Sequence, residues 1–186
     1  ILGNLSYHSI PIDTEADSLY SYQEKACLVQ LTTERGNAVL DPLRAPEGIA
    51  ALGPLLADPA VLKVFHGADY DLRQLKKAFG FAVCHIVDTM IAAQLVGRER
   101  FGLSALLEEH LGVRLDKRYQ RADWSRRPLG PELLAYAAAD TAHLHALAER
   151  LSGELSGLGR LGWAEEEFRH LEQVEPSAPR APSCLE

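Results

Sequence analysis

His8-Ser9-Ile10-Pro11-Ile12-Asp13-Thr14-Glu15 reads as a β-strand. Side chains alternate along a strand, so Ile10 and Ile12 share one face and Asp13 and Glu15 share the other. Two carboxylates a few ångström apart repel each other unless a proton or a cation intervenes. Magnesium and manganese prefer oxygen ligands and often bind through a few carboxylates plus substrate phosphate. Asp-x-Glu is a common pattern by itself, and it reads equally as a solvated strand end.

Working outward from this strand, residues 27–32 form a second strand. Glu34-Arg35-Gly36-Asn37 is a turn signal, and residues 38–40 continue as a third strand, giving a hairpin or meander. Asp41-Pro42 breaks the pattern, and residues 46–56 read as a short helix. Residues 61–65 are a buried type of strand. Residues 70–79 are helical, with Leu72, Leu75 and Phe79 at helical spacing and Gly80 as the stop. Residues 83–87 read as another strand. Asp88 is placed as the N-cap of a helix over 89–96. A helix over 103–111 is closed by Gly112. Residues 113–129 are basic, aromatic and aperiodic, hence a loop. Pro131 opens a long helix to about residue 151, with proline in its favoured first turn, and a last helix covers 161–172. Strands first, then strands mixed with helices, imply an α/β sheet with antiparallel and parallel pairs. Residues 1–174 are expected to form one domain. Residues 175–186, with Pro176, Pro179 and Pro182, read as a flexible tail or linker.

The totals narrow the classes. A chain of 186 residues, 47% apolar and 24% charged, is ordinary for a single soluble domain able to bury a core. No apolar run approaches the ~20 residues of a membrane span. Ile1-Leu2-Gly3-Asn4 has neither a basic start nor a signal-peptide core, and it lacks a methionine, as a fragment or processed chain would. Cys27, Cys84 and Cys184 are scattered and form no Cys-x-x-Cys. They argue against a disulfide framework or a zinc site and for a reducing cytoplasm. A net charge of −7 argues against a non-specific nucleic-acid binder. Locally the balance reverses: Lys117, Arg118, Arg121, Arg126 and Arg127 fall within eleven residues, opposed there only by Asp123. Nothing in the chain specifies an oligomeric state.

Two further carboxylates stand out. On the helix from Pro131, Tyr136 and Asp140 are four residues apart and share a face within the stripe Leu133, Ala137, Leu144, Leu147. An ionised carboxylate on such a stripe is costly unless something pairs with it. In His66-Gly67-Ala68-Asp69-Tyr70-Asp71, the two aspartates point about 200° apart on a helix. Asp69 falls where a helix N-cap would be, which leaves Asp71 as the site residue. A lone histidine such as His66 at a strand end is more often hydrogen-bonded than catalytic. His143 and His145 are two apart on a helix and make no metal pair. Trp124 reads as an anchor of its loop on the core, with Tyr119 or Trp124 as the alternative stacking surface for a base.

These motifs, in this order, resemble the ribonuclease D family of DEDD-type 3′→5′ exonucleases, in its tyrosine subclass. Asp13-Thr14-Glu15 matches the first motif and the segment ending at Asp71 the second, with Val64-Phe65-His66-Gly67-Ala68-Asp69 similar to exosome-associated relatives. Tyr136 and Asp140 match the third. Leu115-Asp116-Lys117, Gln120 and Asp123-Trp124-Ser125-Arg126-Arg127-Pro128-Leu129 resemble the family's link into that motif. The resemblance spans about residues 10–150. It implies a ribonuclease H-like (DnaQ-like exonuclease) α/β fold, a central mixed sheet flanked by helices. It also implies two divalent ions, Mg²⁺ or Mn²⁺, held by Asp13, Glu15, Asp71 and Asp140. Tyr136 then orients or deprotonates the attacking water. The implied reaction releases nucleoside 5′-monophosphates from 3′ ends of single-stranded RNA, with His66, Lys117, Arg118, Gln120, Arg121 and Arg127 on the nucleic acid. Cleavage of DNA or of very short oligonucleotides uses the same chemistry. A catalytically inactive nucleic-acid-binding adaptor is the alternative of another class, opposed by the intact set of four carboxylates plus Tyr136. Two departures are visible. Bacterial members usually carry helical C-terminal domains where this chain has its proline-containing tail, and Ala16 and Asp17 stand where a bulkier apolar residue is often found.

Overall fold

The computed structural model describes residues 9–22 and 24–176. His8, the first four residues, and 177–186 with Cys184 lie outside the described residues. Five strands form one sheet in the order β3-β2-β1-β4-β5: β1 Ser9–Ala16, β2 Ala26–Thr33, β3 Gly36–Leu40, β4 Leu62–Phe65 and β5 Ile86–Asp88. β1, β2 and β3 run antiparallel, and β1, β4 and β5 run parallel. The mixed sheet follows from the connections. Glu34-Arg35 joins β2 to β3 as a tight turn, whereas the parallel pairs need helical crossovers.

The helices are α1 Pro46–Ala50, α2 Leu52–Ala57, α3 Asp69–Phe79, α4 Thr89–Val96, α5 Leu103–Leu111, α6 Pro131–Ala142, α7 Leu144–Gly157 and α8 Leu161–Leu171. None of them is long and apolar enough to cross a membrane. They bury both faces of the sheet, and β4 shows how. Leu62 and Val64 pack with Leu106, Leu144, Leu147 and Leu151, while Phe65 packs with Ile12, Leu72 and Leu75 on the other side. This is the period of two expected of a strand covered on both faces. A third, smaller cluster joins Leu28 and Cys27 of β2 to Trp124 and Ala137 under α6.

The structure corrects several boundaries. The helix expected from Pro131 to about 151 is two helices, broken at His143, whose φ of −114° leaves the helical region. The reason is packing: α6 lies on the antiparallel part of the sheet, and α7 lies on α4, α5 and β4. The helix expected over 46–56 is likewise divided at Ala51. The strand expected over 83–87 is short and ends at Asp88. Asp69 is not the cap of α3. Ala68 holds that position without a side-chain bond, and the Asp69 carboxylate pairs with Arg73 one turn on, at 2.8 Å. Glu175, at the start of the expected tail, is held against α3 by Lys76 at 2.6 Å.

Asp88 does cap α4, accepting from the amides of Met90 and Ile91. It also accepts from the amides of Gly67 and Ala68, at 3.0 and 2.7 Å. Gly67 has φ +78°, and a Cβ there would meet Met90 Cε at 3.2 Å. This glycine turns the chain from β4 into α3 in a space that a side chain would crowd. One buried carboxylate therefore ties the start of α3 to the start of α4. Asp88→Ala leaves four amides without their acceptor. It is expected to lower the unfolding free energy by about 3 kcal/mol or more, read as a reduced urea midpoint.

Candidate active site

β1 is the central strand, and its two edges end differently. Pairing with β2 continues to Ala16, with a register shift between Glu15 and Ala16. Pairing with β4 is over at Pro11. Beyond Pro11 the β4 side of β1 is open, and α3 fills the gap. Asp71 Oδ1 accepts from the Thr14 amide at 3.1 Å and from Thr14 Oγ1 at 2.5 Å. A backbone donor that would otherwise be orphaned is thus satisfied by a carboxylate.

Alternation sends Asp13 and Glu15 to the other face of β1, where α6 brings Asp140. Carboxylate oxygens of Asp13, Glu15 and Asp140 lie within 4.8 Å of one another. They open into a cavity of about 440 Å³ with His66, Lys117, Gln120, Tyr136 and the start of α5 on its walls. Asp71 lies outside that trio, but close enough to raise the pKa of both Asp13 and Glu15.

The electrostatics are unfavourable without a cation. Burial, then repulsion by Asp71, Glu15 and Asp140, holds the Asp13 carboxyl well above the usual range. Burial, Asp140 and Asp71 push Glu15 up to about 8. Burial alone brings Asp140 to about 6. Burial also pushes Asp71 up to about 7, against the opposing hydrogen bonds from Thr14. No lysine or arginine forms an ion pair with any of the four among the described residues. Opposite Asp13 on β2 sits Gln30. It is fully buried, and neither side-chain amide atom has a partner among the described residues. Paired residues on adjacent strands point to the same face. Close hard-oxygen donors, carboxyl pKa values raised by burial and, at Asp13 and Glu15, by neighbouring acids, and an adjacent orphaned amide fit a divalent cation of the magnesium or manganese type.

Tyr136 stands beside this cluster, edge-on to Tyr119 at 6.1 Å and tilted against Trp124 at 6.0 Å. Burial, then Asp140, Glu15 and Asp13, pushes its phenol well above the ordinary value, so it keeps its proton at neutral pH. His66 Nδ1 is 2.9 Å from Thr89 Oγ1, which itself donates to the Phe65 carbonyl. Burial lowers the His66 pKa, so the ring is neutral.

The basic segment divides into used and unused charges. Arg127 departs from the expectation that it contacts nucleic acid. Its guanidinium holds the Asp41 carboxylate at 2.6 and 2.8 Å and the carbonyls of Trp124 and Cys27 at 2.7 and 2.9 Å. Packing drives this, because a buried guanidinium needs all its donors satisfied. Arg126 pairs with Asp123 at 3.1 Å, and Arg118 with Asp116 at 2.6 Å while remaining exposed. Lys117 lines the cavity together with Gln120, and Arg121, the next residue, is exposed. Trp124 is buried, as an anchor would be. His145 is engaged by Ser9 and Glu149.

Sequence reasoning overlooked Thr14 and Gln30. Thr14 was in the quoted triplet, and strand alternation alone puts it opposite the carboxylates. Gln30 was signalled as a long polar residue inside the apolar run of β2.

A mixed sheet with carboxylates gathered at the end of its central strand, a tyrosine beside them and lysine on the cavity wall is an arrangement that suits a divalent cation and a phosphate-bearing ligand. Residues 2–156 match the 3′-5′ exonuclease family, and the chain belongs to that family. It is similar to ribonuclease D of Granulibacter bethesdensis, 39% identical over 160 residues, covering 86% of this chain and 40% of that protein. It superposes on the catalytic core of RRP6 from Trypanosoma brucei with a TM-score of 0.86 and 33% identity, covering 91% of this chain and 47% of that one. Brucella melitensis NrnC bound to pGG matches with a TM-score of 0.79 and 31% identity, over 92% of this chain and 84% of that one. The chain spans 17–41% of the length of the curated relatives it matches.

The raised carboxyl values fix a sign for stability. These groups bind protons more tightly when folded, so their contribution is fully present below the unfolded pKa of about 4 and is lost as pH rises through about 6, 7 and 8. The metal-free protein is expected to show a Tm that falls from pH 5 to pH 8, with a shallower fall for Glu15→Gln. Added Mn²⁺ should raise Tm more at pH 8 than at pH 6. At this length each kcal/mol corresponds to roughly 2–4 °C. Equal slopes for the two proteins would remove the titration of Glu15, raised by burial and then by its acidic neighbours, as the cause.

Proposed function

We propose that this chain is the catalytic domain of a 3′–5′ exoribonuclease that hydrolyses single-stranded RNA stepwise and releases nucleoside 5′-monophosphates. The observation that carries the reading is the trio Asp13, Glu15 and Asp140 within 4.8 Å, with Tyr136 and Lys117 on the same cavity. Asp13, Glu15 and Asp140 would hold one divalent ion, and Asp13 with Asp71 a second. Bound there, such a pair supplies an activated water and charge stabilisation for the attacking and leaving oxygens. The chain's own residues do the rest. Asp71 has one oxygen committed to Thr14 and offers the other, directly or through water. Tyr136 keeps its proton and orients the attacking water by hydrogen bonding. Lys117 and Gln120 position the terminal phosphate, Arg118 and Arg121 take phosphates further out, and neutral His66 presents a polar edge to the nucleotide. Arg127 is assigned to holding the segment instead.

RNA is favoured by the names of the relatives. Cleavage of very short oligonucleotides is the second reading, supported by the match over most of Brucella melitensis NrnC bound to pGG. A reducing cytoplasm suits Cys27, a free thiol pushed up to about 11 by burial.

With Mn²⁺ and labelled strands, RNA with a free 3′ end should shorten stepwise and 3′-blocked RNA should not. Asp13→Asn should abolish turnover with the fold intact by circular dichroism. Tyr136→Phe should lower kcat about a hundredfold. Undiminished hydrolysis by Asp13→Asn would overturn the site, and products from blocked ends would overturn the polarity.

A further inference from the structure

The loop between β1 and β2 begins two residues after Glu15 and leaves large side chains uncovered. Tyr20 is 55% exposed and Tyr22 82%. The loop is nonetheless built. Asp17 is buried, its carboxylate accepts from the Lys25 amide at 2.7 Å, and its carbonyl accepts from the amides of Tyr20 and Ser21 at 2.8 and 2.9 Å. Tyr20 reaches across to the basic segment, and its hydroxyl donates to the Arg121 carbonyl at 2.7 Å. Arg121 follows Gln120, which lines the cavity with Lys117. The two cations of that segment with no carboxylate partner among the described residues are Lys117 and Arg121. Lys117 lines the cavity, and Arg121 is exposed on the segment whose backbone Tyr20 holds. A free positive charge alternating with an exposed ring is the pattern that tracks a single strand, with phosphate on the cation and base on the ring. Trp124 and Tyr119 are turned inward against Tyr136 and do not offer such a face.

We propose that Tyr20, Tyr22 and Arg121 form a path for single-stranded RNA upstream of the scissile nucleotide, reached only by substrates longer than a dinucleotide. The path rests on the exoribonuclease reading and extends it. The strand runs from the carboxylates past Lys117 and Gln120, crosses Arg121, and stacks bases on Tyr20 and Tyr22. The bond from the Tyr20 hydroxyl to the Arg121 carbonyl ties this loop to the basic segment.

The test is the length dependence of KM. With Mn²⁺ and RNA of two, four and eight nucleotides, the wild-type KM should fall as length grows. In Tyr22→Ala and in Tyr20→Ala/Tyr22→Ala, KM for the eight-nucleotide strand should rise by about tenfold or more, erasing most of the length effect while kcat holds. Tyr22→Phe keeps the ring and should restore the wild-type value. Arg121→Gln should flatten the salt dependence of binding. Wild-type KM at every length in the alanine variants would overturn the path and leave the tyrosines as a surface for a protein partner. Should no RNA be hydrolysed, the functional reading fails separately, and fluorescence anisotropy still decides. Equal affinity of wild type and the double alanine variant for a labelled eight-nucleotide RNA would refute the path, and a loss of affinity would sustain it.

Discussion

Burial of carboxylates close together, with the repulsion it sharpens at Asp13 and Glu15, is the constraint on which the rest of this structure depends. Asp13, Glu15, Asp71 and Asp140 are brought into one partly dry region, each with its proton affinity raised. Left alone, such groups separate or take up protons. They stay together because their backbones are fixed from outside the cluster. β1 is locked between two strands, and α6 is packed on the antiparallel half of the sheet. Assembly in advance of the ligand is what lets oxygen donors act on a cation without rearranging, and it is also the site's main liability.

The outside supports are themselves ionic, and they are of the opposite kind. Asp88 is buried with every nearby donor aimed at it, four backbone amides in all. Arg127 and Asp41 form a fork-to-fork pair that also gathers three carbonyls, those of Trp124, Arg126 and Cys27. These carboxylates and this guanidinium are satisfied, and they rigidify. Those of the cavity are unsatisfied, and they are available. The same residue types thus divide into scaffold and site by how completely their hydrogen-bonding capacity is used.

That division explains how much could be read beforehand. The alternation of Ile10, Ile12, Asp13 and Glu15 fixed which face of β1 carries the acids, and the four-residue spacing fixed Tyr136 with Asp140. Asp88 as a cap was legible because the residue type and the following apolar run suffice for it. The break at His143 was not, because the apolar stripe continues across it and only the change of packing partner interrupts the helix. Asp69 looked like a cap by position, although Arg73 four residues on is a local competitor that the helical spacing already offers for its carboxylate. Arg127 looked like its basic neighbours because Asp41, which claims it, is far away in the chain. Tyr20 and Tyr22 drew no notice, since exposure is invisible in a sequence and aromatic residues are expected inside.

Asp71 leaves a trace on how such a domain would decay. Losing Glu15 or Asp140 relieves repulsion, so a lineage released from catalysis could shed either and gain stability. Losing Asp71 also strips the acceptor from the Thr14 amide at the open edge of β1. Asp71 is therefore held by two demands at once, the cluster beside it and the strand edge it closes, whereas Glu15 and Asp140 answer only to the cavity.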